Sequence, residues 1–170
     1  MIRTILHYPD KRLRTKGERV TEVTPAIKQL VSDMAETMYA APGVGLAATQ
    51  IGVAYQLFVV DVAAEEEPSD LRVFINPEIL EVKDRIAWTE GCLSFPGVSE
   101  EVERAATVRV RAQDENGKWF ELEAEGLLAV AIQHEYDHLQ GILMIDHLGT
   151  LKKRLVNRKM QRRPGADAEA

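Results

Sequence analysis

The segment LLAVAIQHEYDHLQG, residues 127–141, restricts the fold more than any other part of the chain. Its first half is apolar nearly all round, which predicts a helix buried at the centre of the protein, and Gly141 is a typical C-terminal cap. His134 and His138 are four residues apart, so their rings lie on one face of that helix. Titratable side chains on a buried helix are costly unless a metal ion or full pairing satisfies them. The fold must therefore enclose a polar site.

The spacing of these histidines is that of a metal-binding HExxH helix, with Glu135 beside the open side of the ion. A catalytic site normally has three protein ligands and one position left for water. Cys92, in a glycine-flanked turn, is our choice for the third ligand, although spacing alone does not distinguish it from a glutamate downstream of the helix. The alternative is a pair of ordinary helix histidines and a buried, inert cysteine. His7 and His147 are expected to be surface or structural residues.

The other helices are indicated by their caps and by charge. Thr24 and Pro25 fit the cap and first position of a helix over 24–40. Residues 41–54, which contain three glycines and Pro42, predict a loop. A basic helix over 152–163 is expected near the C-terminus.

All the predicted strands precede the HExxH helix. Asn116-Gly117 is a strong hairpin signal between residues 107–113 and 119–125. Further strands are predicted at 55–63, 71–77, 79–89 and 105–111. Strands first and the key helix late favour an α+β fold. We expect mixed or antiparallel β-sheets packed around the central buried HExxH helix, with a C-terminal helix beyond it.

Composition is that of a globular chain, with 45% hydrophobic and 28% charged residues. At 170 residues, one domain over 1–170 is expected, with a frayed tail at about 164–170. No segment has the apolar run of a signal peptide or membrane span, so we expect a cytoplasmic protein with no membrane partner. A single cysteine excludes an internal disulfide.

Positive charge is concentrated in KKRLVNRKMQRR, residues 152–163, which has seven basic side chains and no acidic one although the whole chain carries a net charge of −6. A solvated helix face is one interpretation. The other is an electrostatic contact with a phosphate-rich partner such as RNA.

Three stretches resemble, in order and spacing, the three signature motifs of peptide deformylase: GVGLAATQ (43–50), EGCLS (90–94) and QHEYDH (133–138). The similarity extends over nearly the whole chain. The resemblance implies a metal-dependent hydrolase that removes the N-formyl group from formyl-methionine at the start of newly made polypeptides and releases formate.

Residue by residue, the resemblance assigns roles to matching positions. It implies that Cys92, His134 and His138 bind the metal and that Glu135 is the general acid/base. The Gln50 side chain and the Leu93 backbone amide would stabilise the oxyanion.

The same resemblance implies a set of substrate-binding residues: Gly43, Val44, Gly45, Glu90, Leu127 and Val130. It also implies that Arg104 supports Glu90 by pairing with it. Trp88 and Ala131 are further candidates for an apolar methionine pocket. Some family members have an arginine shortly after EGCLS, where this chain has Ser99 and two glutamates, so no charge contact with the substrate backbone is expected there.

The family resemblance implies Fe²⁺ as the metal, while a Cys-His-His site would also accept Zn²⁺, Ni²⁺ or Co²⁺. It also suggests that the basic C-terminal helix contacts the ribosome. Two alternatives use the same residues: an HExxH metallopeptidase, and a structural zinc domain that binds RNA. The peptidase would need a long cleft, and the closed zinc site would need a fourth ligand.

Overall fold

The computed structural model describes residues 1–162, and the predicted tail at 164–170 lies outside them. The elements in chain order are α1 (Pro25–Ala40), β1 (Gly45–Ala47), β2 (Leu57–Val60), β3 (Arg72–Gly91), β4 (Ser99–Gln113), β5 (Trp119–Glu125), α2 (Gly126–Leu139) and α3 (Thr150–Gln161). Short 3-10 helices cover Lys11–Arg14, Ala48–Ile51 and Met144–His147. None of the helices within residues 1–162 is long and apolar enough to cross a membrane.

The five strands form one sheet in the order β1-β2-β3-β4-β5, and every neighbouring pair is antiparallel. One isolated parallel bridge, between Glu18 and Tyr55, lies outside these strands. The predicted α+β class is therefore confirmed, with the antiparallel arrangement rather than the mixed one. The β3–β4 hairpin is long, and its last pair, Gly91 and Ser99, lies at the turn that carries Cys92.

The strand β3 is one continuous strand, whereas the sequence predicted separate strands at 71–77 and 79–89. The pairing register shifts around Asn76 and Pro77, and Asn76 has a positive φ of 53°. A bulge of this kind lets a strand pass through a proline, which has no N–H to donate. The Asn76 side chain accepts from Val20 N and donates to Val20 O, both at 2.8 Å, which stabilises the bend.

The helix α1 begins as predicted, but the segment after it is more regular than expected. Thr24 accepts a hydrogen bond from the Ile27 N–H, and Pro25 is the first helical residue. Residues 41–54 were predicted as a loop, yet β1 and a 3-10 turn lie within them. The three residues of β1 are strand because β2 provides their hydrogen bonds, a partner that local sequence does not reveal.

The two faces of the sheet pack against different helices, because side chains alternate along each strand. Leu57 and Val59 of β2 pack with α1 in one apolar cluster. Phe58 and Val60 pack with α2 in another. Since successive strand residues face opposite sides, α1 covers one face and α2 the other. The HExxH helix is buried as predicted, but on one face of the sheet.

The end of α2 is fixed by a Schellman motif. Gly141 has a φ of 75°, and its N–H bonds to the His138 carbonyl at 3.1 Å. The Ile142 N–H bonds to the Asp137 carbonyl at 2.9 Å. These two bonds define the C-terminus and hold the backbone of the last turn, which carries His138 and Asp137.

Candidate active site

Three side chains meet at the buried face of α2 in the geometry of a metal site. His134 and His138 lie one turn apart, and their Nε2 atoms are 3.3 Å from each other. Cys92 enters from the turn after β3, with its Sγ 3.4 Å from His138 Nε2. The possible ligand atoms of all three lie within 4.8 Å of one another. The fold thus brings Cys92 to the two histidines of α2, so that the three residues predicted as ligands lie together.

The donor set fits a divalent metal ion. With metal–nitrogen bonds of about 2.0–2.1 Å and metal–sulfur bonds of about 2.3 Å, tetrahedral ligand atoms lie about 3.3–3.6 Å apart. The observed separations of 3.3 and 3.4 Å agree. Burial lowers the pKa of His138, which favours the neutral imidazole that a metal ligand must be. No fourth His, Cys, Asp or Glu joins this cluster within residues 1–162, as in a catalytic rather than a closed structural site.

A series of hydrogen bonds holds His134 from behind. Its Nδ1 donates to Glu90 Oε1 at 2.8 Å, which leaves Nε2 for a metal. Arg104 binds the same carboxylate twice, Nε to Oε2 at 2.7 Å and Nη2 to Oε1 at 2.9 Å. Arg104 Nη1 donates to Asp137 Oδ2 at 2.6 Å, and His147 Nε2 donates to that oxygen at 2.8 Å. We call Glu90, Arg104, Asp137 and His147 the outer hydrogen-bond chain.

The Glu90 carboxylate is engaged on both oxygens by protein groups. It is 5% exposed and Arg104 is 4% exposed. Burial alone would raise the pKa of Glu90, but hydrogen bonds from Arg104 and His134 outweigh it and lower this pKa to about 2. Glu90 is therefore ionised at neutral pH. These contacts indicate that Glu90 orients His134, and its predicted contact with the substrate stays a prediction.

Glu135 lies beside the cluster with one oxygen unpaired. Its Oε1 is buried and has no hydrogen-bond partner among the described residues. Burial is the main cause that raises the pKa of Glu135 to about 7. A Cβ on Gly45 would come within 2.5 Å of Glu135 Oε2, so glycine leaves this carboxyl group its room. A buried carboxyl with a pKa near neutrality can accept a proton and return it.

The two predicted oxyanion donors differ in the hydrogen bonds that they already make. Gln50 accepts at Oε1 from Ala47 N at 2.9 Å and donates from Nε2 to Ser94 Oγ at 3.0 Å. The same Nε2 lies 3.7 Å from Cys92 Sγ. The Leu93 N–H makes no hydrogen bond to another residue within 1–162. The Leu93 amide is thus available, whereas Gln50 would have to share an N–H.

A cavity of about 640 Å³ opens onto Glu135 and the metal cluster. This volume is in the usual range for a small-ligand or peptide-end site. The cavity is lined by all the predicted substrate-binding residues and both further candidates: Gly43, Val44, Gly45, Glu90, Leu127, Val130, Trp88 and Ala131. Arg104 does not line it, in keeping with a supporting position behind Glu90. Ser99 and Glu101 are exposed and do not line it either.

The N-terminal segment also forms part of the cavity wall, which the sequence did not predict. His7, expected to be a surface or structural residue, lines the cavity. Backbone hydrogen bonds from Leu6 N to Gln50 O and from Tyr8 N to Ser94 O, at 2.7 and 2.8 Å, bring this segment there. His147 is exposed at the outer end of the hydrogen-bond chain, in keeping with the expected surface position. Both placements depend on long-range pairing, for which the local sequence carries no signal.

The chain is similar to known proteins over nearly its whole length. A family model described as polypeptide deformylase matches residues 2–154. Peptide deformylase 1 of Burkholderia multivorans is 54% identical over 159 residues, which cover 93% of this chain and 87% of that protein. Peptide deformylase of Azotobacter vinelandii is 51% identical over 162 residues, 95% of each chain.

Solved structures agree with this similarity. A peptide deformylase from Legionella pneumophila matches with a TM-score of 0.89 and 43% identity, over 96% of this chain and all (100%) of that one. The peptide deformylase of Ehrlichia chaffeensis in complex with actinonin matches with a TM-score of 0.90 and 36% identity, over 95% and 96% of the two chains. The chain belongs to the polypeptide deformylase family.

Proposed function

We propose that this protein removes the N-formyl group from formyl-methionine at the start of newly made polypeptides. The products are formate and a free amino terminus. The observation that carries the proposal is the cluster of Cys92, His134 and His138 at the base of a cavity, with Glu135 beside it. Family membership supports the same reaction, and neither the metallopeptidase nor the RNA-binding zinc domain is favoured.

The chemistry divides between the metal and the side chains around it. A divalent ion held by the three ligands would supply an acidified water and a positive charge beside the formyl oxygen. Glu135 takes the proton of the attacking water and returns it to the leaving nitrogen, for which a pKa of about 7 is suitable. The Leu93 N–H donates to the developing oxyanion, and Gln50 contributes a second donor. One such donor is typically worth about 2.7–4 kcal/mol.

Substrate selection follows from the cavity wall. The apolar side chains of Leu127, Val130 and Trp88 are suited to the methionine side chain. Gly43 and Gly45 leave room for the Leu93 and Glu135 side chains at the cavity wall, because a Cβ at either position would collide with them. Formyl is the smallest acyl group, so crowding around Glu135 excludes acetylated termini.

Fe²⁺ is the metal that we propose for the protein in the cell. The proposal rests on the family resemblance, since a thiolate and two imidazoles would also accept Zn²⁺, Ni²⁺ or Co²⁺. Iron beside the Cys92 thiolate would make the enzyme sensitive to oxygen, because the sulfur can be oxidised stepwise. Loss of activity in air with Fe²⁺, and stable activity with Ni²⁺, would support this assignment.

The basic helix α3 is our candidate for a ribosome contact. Val156 and Met160 are buried in a cluster with Phe95 and Val98, while Lys152, Lys153, Arg154, Arg158 and Lys159 are exposed. Exposed cations on one helix suit a phosphate-rich surface. We further propose that residues 1–170 act as one domain in the cytoplasm, where new chains are made. Co-sedimentation with ribosomes that does not change when residues 150–170 are removed would contradict the contact.

The reaction is tested by measuring formate release from a formyl-methionine tripeptide. The protein is purified without oxygen and supplied with Fe²⁺, and the acetylated and unformylated peptides serve as controls. Release of one formate per formyl peptide, with no cleavage of either control, supports the proposal. Cleavage of internal peptide bonds would instead favour the metallopeptidase, and absence of formate from folded, metal-loaded protein would favour the structural site.

A further inference from the structure

The outer hydrogen-bond chain connects the protein surface to a metal ligand. Its side chains become less exposed inward, from 32% at His147 to 19% at Asp137 and 4% at Arg104. Beyond Arg104 the chain continues through Glu90 to His134 Nδ1. A residue at the outer end can therefore influence the ligand without touching the substrate.

Both outer members of the chain are attached to fixed backbone. Asp137 belongs to the last turn of α2, where its carbonyl accepts the Ile142 N–H at 2.9 Å. His147 ends a 3-10 helix whose Met144 and Ile145 side chains are buried. With both backbones held, the contact between His147 Nε2 and Asp137 Oδ2 is a fixed link.

The Asp137 carboxylate depends on two donors. Its Oδ2 accepts from Arg104 Nη1 at 2.6 Å on the inner side and from His147 Nε2 at 2.8 Å on the outer side. His147 Nε2 also lies 3.4 Å from Arg104 Nη1 itself. Without the outer donor, Arg104 alone would hold the Asp137 carboxylate, and both side chains would be less firmly fixed. Arg104 also holds both oxygens of Glu90, so a shift of its guanidinium would be passed to His134.

We propose that His147 is a positioning residue for the metal site. It aligns the His134 imidazole for metal binding through the outer hydrogen-bond chain. The inference deepens the proposed function, because a misaligned ligand would both release the metal sooner and slow turnover. Replacing a direct partner of a metal ligand typically changes metal affinity 10–100-fold, and His147 is further out, so we expect about threefold to tenfold.

The test compares His147→Leu with His147→Gln, two side chains of similar size of which only glutamine can donate to Asp137. The first readout is the rate at which the nickel-loaded protein loses its metal to excess EDTA. The second is kcat and KM for a formyl-methionine peptide. We expect His147→Leu to lose metal about threefold to tenfold faster and to lower kcat with little change in KM. His147→Gln should restore both values.

Arg14→Ala is the matched control. Arg14 binds Gly141 O and Asp146, in the segment that carries His147, but does not contact the outer hydrogen-bond chain. It should keep the unmodified metal-loss rate. Equal rates for His147→Leu and the unmodified protein would overturn the proposal. So would a failure of glutamine to restore the rate, or an Arg14→Ala effect as large as that of His147→Leu. Metal loss is measured without substrate, so the expected pattern in a protein that releases no formate would refute the function and leave the positioning role intact.

Discussion

Two arginines on β4, Arg104 and Arg109, show how the same charge pattern has different consequences at the two ends of one hairpin. Each binds one carboxylate from β3 and one from another element. The Arg104 side chain is 4% exposed and links Glu90 to Asp137, whereas the Arg109 side chain is 44% exposed. Burial, rather than the charge pattern, distinguishes a structure that supports the metal site from an ordinary solvated surface.

The physical reason is solvent screening. Arg109 approaches Glu81 at 3.4 Å and Glu121 at 2.9 Å in contact with water, where such pairs contribute about 0–1 kcal/mol. Around Arg104 little water is available, so each charge must be matched by another protein group. The buried pair therefore fixes side-chain positions.

The largest effect on turnover is expected from replacing Glu135. Its carboxyl group is buried, and its Oε1 has no hydrogen-bond partner among residues 1–162. Replacing it by glutamine keeps its size but removes the proton acceptor. We expect Glu135→Gln to lower kcat by about 10²–10⁴-fold, the range for loss of a general acid/base. Metal content should stay unchanged, as determined by elemental analysis of the same samples. Turnover within about tenfold of the unmodified protein would show that another group carries the proton.

Among the arginines, the larger loss of stability is expected from replacing Arg104. Arg104→Gln leaves the buried Glu90 carboxylate without its main partner, and breaking a buried pair in this way costs about 3–5 kcal/mol. Urea unfolding of the metal-free protein should show this loss, and the metal-loaded variant should release its ion faster. A loss below about 1 kcal/mol would mean that water or another residue compensates, and that the buried end of the hairpin resembles the exposed end.

The stability of the metal-free protein as a function of pH tests the buried pairing of Glu90. The folded pKa of Glu90 is lowered to about 2, so its pairing stabilises the fold fully above its unfolded pKa of about 4.3. This contribution is lost as the pH falls from about 4.3 towards 2, and amounts to about 3 kcal/mol at most. The stability difference between the metal-free protein and its Glu90→Gln variant should therefore shrink over that window. A difference that stays constant down to pH 3 would contradict the assigned pairing.

The smallest effect on stability is expected from replacing Arg109, the exposed arginine of β4. Arg109→Gln should change the free energy of unfolding by less than about 0.5 kcal/mol and leave metal retention unaltered. The same urea titration that is used for Arg104→Gln measures it. A loss similar to that of Arg104→Gln would remove the distinction between the two ends.

The elements that the sequence predicted best are those specified by adjacent residues. Thr24 and Pro25 define the start of α1, and Asn116-Gly117 forms the hairpin between β4 and β5, with Gly117 at a φ of 79°. Caps and tight turns depend on a few neighbouring residues, so single-sequence reasoning is sufficient for them.

Features that depend on distant partners were not predictable in the same way. Asn76 and Pro77 interrupt the strand pattern, and only the bulge paired with β4 makes β3 continuous. In the site, His134 and His138 follow from helical spacing, whereas Cys92 was chosen by its type and by resemblance. The contact between Asp137 and His147 joins two polar residues ten positions apart with no shared periodicity.

This chain belongs to a family of metal-dependent deformylases, and we propose that Cys92, His134 and His138 hold one ion. The most direct test is a titration of the metal-free protein with Fe²⁺ under argon, with formate release from a formyl-methionine peptide as the signal. We predict that activity rises linearly and levels off at one ion per chain, and that Cys92→Ala shows no such break. Full activity in the metal-free protein, or an unchanged break in the variant, would contradict this ligand set.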